Sequence, residues 1–241
     1  MSTVHRVDLE PAYILHSRAY RETSQILEVF TVSHGRLALI AKGARRPKSP
    51  LRGLLNPFQA LRLSWSGRGE MQTLREAETV GPVDEVRSSV VMSCFYINEL
   101  ILKLLERADP HPDLFAHYSS LIAALKTGDD IEPLLRVFEL QLLGEIGYEP
   151  VLLHEAASHD PVEDEHLYEF IPDYGVQRFV SGRQDHAVFM GKTLRAVSRH
   201  DLSDADVLRE AKQLLRLILN HHLGNRALQT RRVASAMKST G

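Results

Sequence analysis

Gln25-Ile26-Leu27-Glu28-Val29-Phe30-Thr31-Val32, then Ser33-His34-Gly35, then Arg36-Leu37-Ala38-Leu39-Ile40-Ala41-Lys42-Gly43 is the passage that decides the fold class. Both outer runs are apolar, and the first is rich in β-branched and aromatic side chains, which favour strands. The three residues between them end in glycine, so the passage reads as a tight antiparallel hairpin. Upstream, Ala12-Tyr13-Ile14-Leu15-His16 is a further short strand. Downstream, residues 58–65 alternate between apolar and polar, turn at Gly67-Arg68-Gly69, and pair with residues 71–77. The connection over residues 44–57 carries Pro47, Pro50, Gly53 and Pro57, too many breakers for a long element. Five short strands in about 70 residues, with one long connection, suit a small OB-type barrel. An SH3-like barrel is the alternative at this stage.

Gly81-Pro82 marks a boundary, and beyond it the apolar period lengthens from 2 to about 3.6 residues. Residues 89–107, 112–126 and 131–146 read as helices, the third with Pro133 in its first turn, where a missing N–H costs little. Residues 149–190 are acidic and histidine-rich, with strand-like pieces at 168–171 and 177–180. Helices follow near 192–198 and over 203–223, with Ser203 in position to cap the latter. Residues 227–241 read as a fraying tail. The expected class is therefore α+β. An N-terminal five-stranded OB-type barrel (residues 1–80) precedes a mainly helical domain (residues 81–241), with a short strand-like insertion at about 150–190.

The chain has 241 residues, 44% hydrophobic and 25% charged, enough apolar material for a substantial core without a disulfide or metal staple. Its single cysteine, Cys94, sits in an apolar run and reads as a buried structural thiol. No apolar stretch approaches the roughly 20 residues that span a bilayer, and the first residues carry no signal-peptide core, so a cytoplasmic protein is expected. The net charge of -2 conceals a strong asymmetry. Residues 29–69 hold eight Lys and Arg and no Asp or Glu, whereas residues 81–210 hold 11 basic and 24 acidic side chains. Residues 211–241 are basic again, with six cations and no acid. Such segregation separates surfaces that attract polyanions from surfaces that repel them.

The basic stretch is the strongest functional signal. Arg36, Lys42, Arg45, Arg46, Lys48, Arg52 and Arg62 lie on strands and on one Gly/Pro-punctuated loop able to follow an irregular backbone. Cations without a carboxylate neighbour neutralise phosphates and release condensed counterions. Binders of single strands add aromatic platforms for bases, for which Phe58, Trp65, Phe30 and Tyr20 are candidates. The competing readings are a solubilising face for the charges and core packing for the aromatics.

Several pieces of the sequence, taken in order, resemble the bacterial RecO family of recombination mediators. They are Ala12-Tyr13-Ile14-Leu15-His16-Ser17-Arg18, Tyr20-Arg21-Glu22-Thr23-Ser24, His34-Gly35-Arg36, Lys42-Gly43-Ala44-Arg45-Arg46 and Leu54-Leu55-Asn56-Pro57-Phe58. The likeness continues at Phe95-Tyr96-Ile97-Asn98-Glu99-Leu100, through residues 136–143 and at Gly147-Tyr148. The resemblance implies an OB-fold, a helical C-terminal domain, binding of single- and double-stranded DNA, and annealing of complementary strands. It also implies work with RecR in the RecF pathway, contact with the C-terminal tail of single-strand-binding protein, indirect help in loading RecA, and a place at the nucleoid. Many members hold zinc through four cysteines. The corresponding residues 152–160 contain none, so a form without metal or other cofactor is implied.

A receptor for an acidic tail closed by apolar residues needs cations beside an apolar groove. Arg136 stands among apolar residues in residues 134–143, with an internal salt bridge to Glu139 or Glu132 as the alternative. Lys212 and Arg216 in the last long helix are further partner-binding candidates. His154, His159, Asp160 and His166 match no compact ligand spacing, and His221-His222 cannot both face one way on a helix. No phosphate loop, nucleophile elbow or metalloprotease motif is present, so no enzymatic activity is expected. From the residues alone, an adaptor for an acidic protein or an RNA-binding OB protein remains an alternative to a DNA-binding mediator.

Overall fold

A computed structural model describes residues 5–69, 71–82, 86–128, 130–180 and 187–239. The residues read for a signal peptide, up to position 4, and the last two of the tail lie outside that set. Five strands, β1 (His5–Tyr20), β2 (Ser24–Thr31), β3 (Gly35–Ala41), β4 (Leu61–Gly67) and β5 (Met71–Thr79), close in the order β1-β2-β3-β5-β4. All neighbours are antiparallel except β3 with β5. This is the OB-type closure and not the SH3-like one. Closure requires β1 to serve two partners, β4 with its first half and β2 with its second. Its register shifts between Val7 and Glu10 and again between Ile14 and His16, and each bulge bends the strand. Inward-facing Ile14, Leu27, Val29, Leu39, Leu63 and Trp65 fill the interior.

The hairpin is present as its sequence predicts, but the turn falls at residues 32–34, one residue earlier than expected, and Gly35 opens β3. Gly35 has φ 61°. The Thr31 hydroxyl donates to the Gly35 carbonyl (2.9 Å) and accepts from the His34 N–H (3.2 Å). A Cβ at position 35 would overlap the backbone carbonyl of Asp109, so glycine is needed for space as well as for conformation.

Helices α1 (Ser88–Leu104) and α2 (Pro112–Thr127) belong to the same compact unit as the barrel, which comprises residues 1–129 with 228–241; residues 130–227 form a second unit. The change from strand to helix thus falls near Gly81-Pro82, but the compact units divide elsewhere. The physical reason is that the barrel has apolar side chains on its outside as well. Tyr13 and Phe30 point outward from β1 and β2 and pack against Phe115 and Tyr118 of α2, with ring centroids 5.0–6.1 Å apart. Buried Asn98 of α1 donates to the Leu15 carbonyl (2.8 Å) and accepts from the Tyr118 hydroxyl (2.7 Å), so a single amide joins β1, α1 and α2. Cys94 is buried in α1, as expected, and burial pushes its thiol up to about 11.

The expected frayed tail is instead helical where it is described. Helix α6 (Gln229–Ser239) starts against α1, where the Glu99 carboxylate accepts from the N–H groups of Gln229 (2.8 Å) and Thr230 (2.9 Å) and from the Thr230 hydroxyl (2.7 Å). A carboxylate from another helix caps the first turn, which the local sequence of the tail does not disclose. Burial alone would raise the Glu99 carboxyl, but these bonds prevail and hold it below the usual value.

The second unit contains α3 (Ile131–Glu145), a three-stranded sheet ordered β7-β6-β8, and helices α4 (Gly191–Ser198) and α5 (Ala205–Leu223). The sheet strands are β6 (Leu167–Ile171), β7 (Gly175–Arg178) and β8 (Val188–Met190). The cap of α5 is Asp204 and not Ser203: its carboxylate accepts from the N–H groups of Asp206 (2.8 Å) and Val207 (3.0 Å). Ser203 lies one residue too early and donates its hydroxyl to Asp201 (2.8 Å).

Gly35→Ala is expected to cost about 2–4 kcal/mol, combining overpacking with left-handed strain. Gly53, also at positive φ but with open space around it, is expected to lose about 1 kcal/mol on the same change. Urea denaturation of the two variants measures the difference; equal losses would contradict the close approach of the hairpin to Asp109.

Candidate nucleic-acid interface

Alternation assigns the outward face of β1–β2–β3 residue by residue. Registered rows run Tyr13–Phe30–Arg36, His16–Glu28–Ala38, Arg18–Ile26–Ile40 and Tyr20–Ser24, with Lys42 one step past Ile40 on the same face. The first row lies under the helices. There Arg36 donates through Nε (3.3 Å) and a terminal nitrogen (3.1 Å) to the Leu105 carbonyl and approaches Glu28 at 3.4 Å. Arg107 reaches the same carboxylate at 2.6 Å. Burial, then repulsion from Arg107, lowers the Arg36 pKa against the pull of Glu28. Arg36, read from the sequence as a phosphate ligand, is therefore committed to a carbonyl and an ion pair, and its side chain is 13% exposed.

Six residues along the strand, roughly 20 Å at the usual rise, the same face is open. Lys42 is exposed, and so are Arg45, Arg46, Lys48 and Arg52 in the connection that follows. That connection is more ordered than its breakers suggest. It is built from successive tight turns, with backbone bonds Arg46→Gly43, Ser49→Arg46, Arg52→Ser49 and Leu54→Leu51 at 3.0–3.3 Å. Ala44 and Leu55 enter the barrel core, Leu51 packs against it, and the cations between them are left outside. Three bonds stitch the connection to the β1–β2 turn: Arg45 N–H to the Thr23 carbonyl (2.9 Å), the Arg45 guanidinium to the Arg21 carbonyl (3.4 Å) and Gly43 N–H to Ser24 Oγ (3.4 Å). A groove of about 640 Å³ opens between the two segments, lined by Tyr20, Arg21, Glu22, Ile40, Lys42 and Arg46 among others. A smaller cavity of about 250 Å³ involves Arg45 and Arg52.

Arg62 is exposed on β4, but its register partners are Pro11 and Glu78, so it faces a carboxylate strand and not the loop cations. Arg18 and Arg21 are exposed and extend the basic face, although the sequence stretch that singled out the cations began after them. For Arg18 the signal is the period-two pattern from His16 through Tyr20; Arg21, in the turn after β1, lies outside it. Of the four aromatic candidates, Trp65, Phe30 and Phe58 are buried (1%, 0% and 5% exposed), and Tyr20 is partly exposed. The Arg21 guanidinium lies 5.2 Å from the centre of the Tyr20 ring.

In the second unit, Arg136 is buried and pairs with the fully buried Glu139 at 2.6 Å. Of the two readings the sequence left open, the internal salt bridge is the one present. Lys212 is exposed and reaches Glu132 at 2.8 Å, and Arg216 is exposed one turn further along α5. His221 pairs with Asp173 (2.7 Å), while His222 stacks on Tyr148 (3.9 Å, 26°), both at the border of a cavity of about 230 Å³. Burial, then His221, lowers the His222 pKa against Asp173. Among the described residues no three His, Cys, Asp or Glu side chains converge as metal ligands. His166 is engaged with Glu163 at 2.7 Å, and residues 152–160 contain no cysteine. Among the described residues no helix is long and apolar enough to cross a membrane.

Residues 6–83 match the family described as recombination protein O N terminal, and residues 90–232 match the one described as recombination protein O C terminal. The chain is 42% identical over 238 residues to a DNA repair protein RecO of Aromatoleum aromaticum, covering 99% of both chains. It is 43% identical over 238 residues to the corresponding protein of Polynucleobacter asymbioticus (97% and 98% covered). With that of Nitrosococcus oceani it shares 41% identity over 236 residues (98% and 96% covered).

Removing one partner of a buried ion pair leaves the other charge stranded. Arg136→Ala is expected to destabilise the protein by about 3 kcal/mol in urea, whereas the exposed Arg216→Ala should stay within about 0.5 kcal/mol. Comparable losses would show that Arg136 is not engaged as described.

Proposed function

Since the chain belongs to the RecO family of DNA repair and recombination proteins, we propose that it binds single- and double-stranded DNA through the open end of its barrel and anneals complementary strands. The observation that carries this reading is the row of exposed cations, Lys42, Arg45, Arg46, Lys48 and Arg52, on a loop pinned to the barrel core. A pinned loop loses little entropy when it meets a phosphate backbone, and each contact releases a counterion. Annealing then needs no covalent chemistry. Two strands whose phosphates are neutralised on one surface lose their mutual repulsion, and base pairing supplies the free energy. The protein works by binding and not as an enzyme.

In this reading the protein acts in the cytoplasm at the nucleoid, with RecR as partner, and helps load RecA onto DNA coated by single-strand-binding protein. Contact with the acidic tail of that coat protein falls to Lys212 and Arg216, since Arg136 is held inside. The Lys212–Glu132 pair is exposed on both sides, 54% and 45%, so exchanging its carboxylate for one of a partner costs little.

Substituting Arg45, Arg46 and Lys48 together by alanine is expected to weaken binding to an oligonucleotide and to flatten the log–log salt slope on single strands by about two. Annealing of complementary strands should slow in parallel. An unchanged slope would put the phosphate contacts elsewhere, and a wild-type protein that neither binds single strands at low salt nor speeds annealing would overturn the reading.

A further inference from the structure

The geometry points to Tyr20 and Arg21 as a stacking platform for an unpaired nucleobase, which gives the barrel groove a preference for single strands over duplex; this rests on the groove being the nucleic-acid surface proposed above. Burial is the first observation. Of the barrel aromatics among the described residues, Tyr13, Phe30, Phe58 and Trp65 are 5% exposed or less, and Tyr20 is the one left partly open. It ends β1 on the outward face and borders the 640 Å³ groove beside Lys42 and Arg46. That volume lies in the range of sites for small organic ligands, so a nucleotide-sized group fits.

The second observation is the neighbour of the ring. The Arg21 guanidinium, 5.2 Å from the ring centre, makes a cation–π pair that enlarges the flat surface and adds a positive charge to it. A base can lie on either component, and neither choice reads sequence, because every base has a π-face. The third observation is the distribution of charge around the groove. Lys42 and Arg46 border it together with the Glu22 carboxylate. Phosphates are drawn toward the two cations and turned away from Glu22, which leaves the base to occupy the part of the groove near Tyr20. In a duplex the bases are stacked on one another inside the helix and present only backbone and groove edges. Duplex therefore uses the cations of this surface without the platform.

The test uses the full-length protein, fluorescence anisotropy, and three ligands of equal length: a thymidine single strand, a duplex, and a strand of abasic residues with the same phosphates. The wild type should bind the thymidine strand more tightly than the abasic one. Tyr20→Ala should weaken the thymidine complex by about 5- to 150-fold, the equivalent of the usual stacking contribution of one base. It should leave duplex and abasic binding within about twofold and the salt slope unchanged, and Tyr20→Phe should retain the wild-type preference. Equal weakening on all three ligands, a loss of preference in Tyr20→Phe, or a wild type blind to the missing bases would each overturn the platform. Failure of the underlying reading looks different: the wild type would then bind none of the three ligands in a salt-dependent manner.

Discussion

The barrel has more apolar surface than its interior can hold, and covering the excess organises the rest of the first unit. Tyr13 and Phe30 point out of the β1–β2 ladder, where exposure would cost a few kcal/mol of burial. Helices α1 and α2 supply the cover, with Phe115 and Tyr118 against the rings and Asn98 satisfying the Leu15 carbonyl of the bulged strand. The outward face thereby acquires two ends with different environments. At the covered end, the Arg36 guanidinium is enclosed and must be paired with Glu28 and the Leu105 carbonyl. At the open end Lys42, on the same face of the same strand, stays in water.

This division explains which parts of the site are legible in the sequence. Strand alternation, the glycine of the hairpin and the run of residues without acids all act over a few positions, and from them the barrel and the basic connection follow directly. What they do not convey is which cations a distant helix will enclose. Arg36 and Lys42 look equivalent in the sequence, and residues 105–107, some 70 positions away, make the difference. The aromatics follow the same logic. Trp65 and Phe30 are as prominent in the sequence as Tyr20, yet each meets either the core or α2, and Tyr20 lies beyond the reach of both.

Long-range capping and pairing account for the remaining differences. The tail has no carboxylate to cap its own helix, and Glu99, 130 residues earlier in the chain, takes that role. Arg136 carries the charge expected of a receptor for an acidic peptide, but Glu139 stands three residues on, and both side chains turn inward together. A cation in an apolar helix is thus an ambiguous signal until the burial of its neighbour is known. For the second unit this transfers attention from α3 to the exposed cations of α5.

One end of the barrel is closed by helices, and the other carries the exposed cations proposed above as the surface for nucleic acid. Residue-resolved chemical modification of arginine and lysine, with and without a saturating single-stranded oligonucleotide, tests this division most directly. Arg21, Lys42, Arg45, Arg46, Lys48 and Arg52 should react in the free protein and be protected in the complex, while Arg36 should be slow to react in both. Protection confined to other cations, such as Lys212 and Arg216, or an Arg36 that reacts freely and becomes protected on binding, would contradict it.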